Sequence, residues 1–149
     1  MTWVHVAEIS SFLASCQRFG THRLTPDECD AYFAETAVVA RAIGAEWVPE
    51  TLEEATAYFG RIRPSLYAGP QALAARDFLL RGVGTRPNDR AVYSVITAAA
   101  VGLLPAWARS ELRIPNPPLL DTVVVTPVAR TFCAGLRWAV SPPADSSPR

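Results

Sequence analysis

The chain has 149 residues, half of them hydrophobic and 19% charged, with 14 basic residues balancing 14 acidic ones. That length fits one domain with a real core, and the apolar content excludes a disordered chain. The balanced charge excludes the basic field that drives nucleic-acid binding, and the arginines are scattered too widely along the chain for a phosphate-binding stripe.

The first element is read from Trp3, Val6, Ile9, Phe12, Leu13 and Cys16, which recur at spacings of three and four and predict a helix from Thr2 to Phe19. Thr2 is its only cap, and an aromatic so near the start of the helix needs something to pack under. Gly20 ends this helix. The second opens on Thr25 as N-cap, Pro26 at the first helical position and Glu28 closing a capping box. It carries Tyr32, Phe33, Val38, Val39 and Ile43 and stops at Gly44. The third repeats the device with Thr51 and Glu54. Its buried stripe is Ala55, Tyr58, Phe59 and Ile62, and it ends before Pro64.

A shorter helix follows Gly69 and Pro70, with Leu73, Ala74, Phe78 and Leu79 on its inner face. The Gly- and Pro-rich segment from Gly82 to Asn88 is a loop. Asp89 starts a helix through Tyr93, Ile96 and Val101 to Leu104, which Pro105 breaks, and a short helical turn covers Trp107 to Leu112. Pro115, Pro117 and Pro118 make a rigid link. From Leu119 to Val140, Val123, Val124 and Val125 favour strand, but there is no second strand to pair with. Leu120, Val124, Val128, Phe132, Leu136 and Val140 fall at helical spacing, so a helix bent at Pro127 is predicted. The Pro- and Ser-rich residues 141–149 read as a disordered tail. The sum is an all-α protein, an irregular bundle of about six or seven helices.

Cys16, Cys29 and Cys133 are odd in number and lack CxxC spacing, which argues against a disulfide framework or structural zinc. They read as small buried or half-buried residues. The opening residues lack the basic region of a secretory signal, and the longest apolar-leaning stretch, 92–104, is too short to span a bilayer. A cytoplasmic protein without a membrane span is expected.

Chemistry-bearing motifs are few. His5, on the first helix one turn from Glu8 and Ile9, can act as a metal or haem ligand if its other nitrogen is held, or as a hydrogen-bonded structural histidine. HExxH, GxSxG and GxGxxG are absent. His22 sits in a loop and reads as solvated. Glu35 reads as a helix-surface charge or a carboxylate paired with an arginine such as Arg41.

Several patterns in order resemble one family, the MpaB/latex-clearing-protein (rubber oxygenase) catalytic domain. They are Trp3-Val4-His5 with Ser11-Phe12-Leu13; Phe19-Gly20 with Leu24-Thr25-Pro26-Asp27-Glu28; Tyr32 and Glu35; and Ile43-Gly44 with Pro49, Thr51-Leu52 and Tyr58-Phe59. Gly102-Leu103-Leu104-Pro105-Ala106-Trp107-Ala108-Arg109 is similar to a late element of that family. The resemblance implies a haem b-dependent oxygenase, an oxidoreductase acting on an apolar small molecule, of which polyisoprene is one family example. It implies a cofactor pocket lined by His5, Trp3 and Phe12, and names no catalytic residue. In the family, the segment bearing the proximal haem ligand lies upstream of the WVH helix. Residues 1–140 are therefore read as the C-terminal part of the catalytic domain, with His5 near the pocket and not the proximal ligand. Haem binding by this chain alone is expected to be weak. The alternative is a non-enzymatic helical remnant or interaction module, whose first helix is covered by a second copy or another chain.

Overall fold

The computed structural model describes residues 2–82, 86–115 and 121–140. Among these are seven α-helices and no strand, the all-α class expected from the sequence. They are α1 (Thr2–Phe19), α2 (Pro26–Ala42), α3 (Leu52–Ile62), α4 (Pro70–Leu80), α5 (Pro87–Leu103), α6 (Ala106–Glu111) and α7 (Thr126–Val140). A 3-10 turn, Arg63–Ser65, follows α3, and a π-helical turn, Asp121–Val125, leads into α7. α1 is the shared strut. α2, α5 and α7 all pack on it, α3 packs on α2, and α5 also packs on α7 and its π turn.

The core forms where α1 meets α2 and α3. Val6, Ile9 and Leu13 lie on one stripe of α1 and close on Cys29 and Phe33 of α2 and Ala55 of α3, with Leu24, Tyr32, Tyr58 and Phe59 around them. Burying each large apolar side chain contributes about 1.5–3 kcal/mol, so this cluster dominates the stability of the α1–α3 unit. A smaller cluster of Ala37, Ala40, Ala45 and Val48 secures the far end of α2.

The helix ends follow the punctuation. Thr25 Oγ1 accepts the Glu28 N–H while Glu28 Oε2 accepts the Thr25 N–H at 2.8 Å, a complete capping box. At α3 the box is open. Thr51 Oγ1 accepts from the Glu54 N–H, but the Glu54 carboxylate takes the N–H of Glu50 instead. Gly20 follows the last residue of α1, at a position where a Cβ would stand 2.3 Å from the Cys16 carbonyl oxygen and only glycine fits. Gly44 has φ +95°, a left-handed turn that suits glycine.

Several expected faces differ. In α2 the buried stripe is Cys29, Phe33, Ala37 and Ala40, whereas Val38, Val39 and Ile43 are exposed. The period that seats Phe33 carries alanines inward and turns the larger residues out. α4 buries no residue, and Phe78 and Leu79 lie on its outside. Cys16 is exposed, while Cys29 is buried and Cys133 half-buried. α5 begins at Pro87, before Asp89, because proline fits the first helical position, where no N–H is needed. The residues described from 121 onward are helical, not strand, and the change from π turn to α-helix falls just before Pro127. Residues 119, 120 and the tail 141–149 lie outside the described residues.

The longest apolar helical stretch is not 92–104 but Thr122–Val140, which is long and apolar enough to cross a membrane by length and composition. Its charges, Arg130 and Arg137, both turn toward α1: Arg130 donates to the Arg18 carbonyl and Arg137 to the Phe19 carbonyl. Its opposite side is apolar and open, with Val124, Val128 and Trp138 exposed.

Phe33→Ala is expected to cost about 3–5 kcal/mol in urea or thermal unfolding, since Phe33 is fully buried at the α1–α2–α3 junction. Thr25→Ala should cost about 1 kcal/mol through the lost cap. The Thr25 backbone N–H holds the Glu28 carboxyl below its usual pKa, with the Thr25 hydroxyl adding to the effect. Its contribution is therefore present above the ordinary carboxylate range and is lost as pH falls through the lowered value. Glu28→Gln should flatten the acid limb of a stability-versus-pH curve; an unchanged limb would discount the box.

Candidate functional site

α1 presents a second face, about a quarter turn from its core stripe, made of Trp3, Ala7, Ser10, Ser11 and Ala14. Apart from Trp3, these side chains are small and leave the space between the helix and its neighbours unfilled. A cavity of about 510 Å³ results. Its other walls come from Phe59 of α3, Leu66, Tyr67 and Ala68 before α4, Leu103 at the end of α5, and the Leu104–Leu112 segment around α6. That volume falls within the range of about 300–1,000 Å³ usual for small-molecule sites, and the walls are mainly apolar.

Each wall is held by a definite contact. The Trp3 ring meets Phe59 edge to face at 5.9 Å, so the aromatic near the start of α1 finds its packing partner in α3. The Arg63 guanidinium lies 6.0 Å over the Trp107 ring. Arg76 donates to the Leu112 carbonyl at 2.7 Å, and Arg109 donates to the Leu104 carbonyl. Arg18 donates to the Gly102 carbonyl at 2.8 Å, tying the end of α5 to α1. Cationic side chains on main-chain carbonyls thus brace the α5–α6 corner where the chain turns at Pro105.

The residues expected to share a pocket are separated. Trp3 lines the cavity. Phe12 lies nine positions further along α1, about half a turn around the helix, and is 57% exposed. His5 is turned about 160° from Trp3 and does not line the cavity. Its Nε2 is enclosed by protein and has no hydrogen-bond partner, and the Ser10 hydroxyl is enclosed in the same way. His22 and Glu35 are exposed. Arg41 is paired with Glu50 and not with Glu35. Burial pushes the Tyr32 phenol up, with smaller effects from Cys16 and Glu8. No group of three metal-ligating side chains occurs among the described residues.

A haem group would need an axial donor facing the cavity that receives it. The described histidines do not meet that need: His5 Nε2 is enclosed on another side of α1, and His22 is in the exposed loop after α1. The cavity therefore fits an apolar ligand and does not, with these residues, fit an imidazole-ligated iron. Sequence reasoning missed Phe59, Tyr67 and Leu112 as cavity residues, because they join Trp3 only through the fold. One signal was available: the Gly102–Arg109 run that carries the family resemblance is the segment that folds over the cavity.

Residues 1–138 match the family described as ER-bound oxygenase mpaB/B'/Rubber oxygenase, catalytic domain. Neither the curated proteins nor the solved structures compared with the chain give a significant match. With nearly its whole length matched, the chain belongs to the MpaB/rubber oxygenase catalytic-domain family.

Proposed function

We propose that the chain serves a haem b-dependent oxygenase, an oxidoreductase, by binding an apolar substrate in the cavity between α1, α3 and α6. The observation that carries this reading is the cavity itself: an apolar recess of about 510 Å³ in a member of an oxygenase family, left unfilled by the small side chains of Ala7, Ser10 and Ala14. Haem iron, when bound, supplies oxygen activation. The residues of this chain do other work. Trp3 and Phe59 form a rigid aromatic wall that can stack on an unsaturated or cyclic substrate. Leu103, Leu104 and Leu112 supply an apolar lining that favours exclusion of water. No step is routed through His5, and in this reading the axial ligand is supplied from outside the described residues.

Binding of phenylnaphthylamine, an apolar fluorescent probe, tests the cavity directly. Ala7→Leu should fill the recess and weaken probe binding about tenfold, with helical content retained. Trp3→Ala should weaken it several-fold by removing one wall. Phe12→Ala, on the opposite side of α1, should leave it unchanged. Equal binding by the wild type and Ala7→Leu would remove the cavity as the binding site.

Haem reconstitution tests the cofactor side. After desalting, the chain alone should retain no Soret band. A stable band in the wild type that is lost in His5→Ala would return an axial role to His5 and overturn the assignment of the ligand to residues elsewhere. The non-enzymatic reading rests on the same mismatch between histidines and cavity. Oxygen uptake with an apolar olefin, measured with haem supplied in excess, separates the two: uptake above that of free haem that falls in Ala7→Leu supports the oxygenase, and probe binding without such uptake supports the binding module.

A further inference from the structure

The apolar cavity beside α1 has a polar edge. Among the described residues that line it, Ser11, Tyr67 and Glu111 are exposed, whereas Leu103, Trp107 and Leu112 are half-buried. A molecule seated in the recess therefore meets apolar walls with its body and these polar side chains with the end that reaches solvent. Glu111 is the last residue of α6, where the helix dipole favours a cation over a carboxylate. Local helix chemistry thus does not account for an acidic side chain in the wall of this cavity.

The carboxylate reaches from α6 to the wall that precedes α4. Glu111 Oε2 accepts from the Ala68 N–H at 3.4 Å, a long contact across the cavity edge. Glu111 Oε1 has no hydrogen-bond partner among the described residues. A carboxylate accepts hydrogen bonds and cannot donate one. The Ser11 hydroxyl proton is already committed to the Ala7 carbonyl at 2.7 Å. Arg63, Arg76 and Arg109 brace the same walls and are cationic, so hydrogen bonding at the edge, and not a net negative field, is what Glu111 offers a ligand.

We propose that Glu111 selects the head group of the ligand: the cavity takes an apolar molecule that ends in a hydrogen-bond donor, an alcohol in the simplest case, whose O–H donates to the Glu111 carboxylate. This assignment rests on the use of the cavity for an apolar substrate and narrows the class of that substrate. A hydrocarbon or an ether fills the same walls but leaves the carboxylate to water. The difference between them is one hydrogen bond to a charged acceptor, stronger than one between neutral groups.

The test is displacement of phenylnaphthylamine from the full chain by decanol and by decyl methyl ether. The two share a chain and are both uncharged, so the nearby arginines act on them alike. In Glu111→Ala the ratio of alcohol affinity to ether affinity should fall about fivefold, through loss of alcohol affinity. Glu111→Gln keeps an acceptor oxygen without the charge, so its ratio should lie between those of the wild type and Glu111→Ala. It gives a second reading if circular dichroism shows that Glu111→Ala has lost helix. A ratio that neither variant changes overturns the proposal, and if Ala7→Leu still weakens probe binding the cavity reading stands without it. Equal probe binding by the wild type and Ala7→Leu overturns the cavity reading and this proposal with it. Failure of both decyl ligands to displace a probe that Ala7→Leu weakens overturns the proposal alone.

Discussion

Everything described here depends on how α1 divides its circumference and its carboxyl end among its neighbours. One stripe, Val6–Ile9–Leu13, is buried against Phe33 and Cys29 and fixes α2 and α3. An adjacent stripe of small residues leaves space beside it and becomes the wall of the apolar cavity. At its end, the terminal carbonyls attract Arg130 and Arg137, which seat α7 112 and 118 residues away in sequence. Hydrophobic burial is non-directional, so it can press elements together without orienting them. The arginine-to-carbonyl contacts add direction, and their strength comes from pairing a full charge with a helix terminus.

The cavity follows from side-chain volume. Protein interiors close to crystal-like density unless something prevents it. Here Ala7, Ser10 and Ala14 remove bulk from α1, while the turn at Pro105 and the braces on Leu104 and Leu112 stop α6 from collapsing onto it. The aromatic pair Trp3–Phe59 closes one end with little conformational freedom. These features fit a binding site for an apolar molecule, which is the substrate in the oxygenase reading proposed above. The histidines stand apart from that site, which is why the oxygenase reading assigns substrate handling, and not iron ligation, to these residues.

Much of the fold was legible because its signals are local. Thr25-Pro26-x-Glu28, Gly20, Gly44 and Gly69-Pro70 mark helix ends through contacts within a few residues, and the structure places ends at each of them. The choice of helix over strand for 121–140 also rested on a local argument, the spacing of the apolar residues. Which face each helix buries was less legible. Val38, Val39 and Ile43 look like core residues by type, yet the packing of Phe33 against α1 selects the alanine stripe instead. The grouping of Trp3 with His5 and Phe12 came from the family resemblance, whereas helical geometry sends them to different sides of α1.

The sequence by itself determined the helical class, most helix boundaries and the family, because capping, turn chemistry and ordered short motifs are encoded over a few residues each. Only the tertiary structure decided the sites. It joined Trp3 to Phe59, Tyr67 and Leu112 around one cavity. The physical reason is that a cavity is a property of distant segments brought together. Its cost or benefit appears only once α1 has chosen which neighbour covers each of its faces.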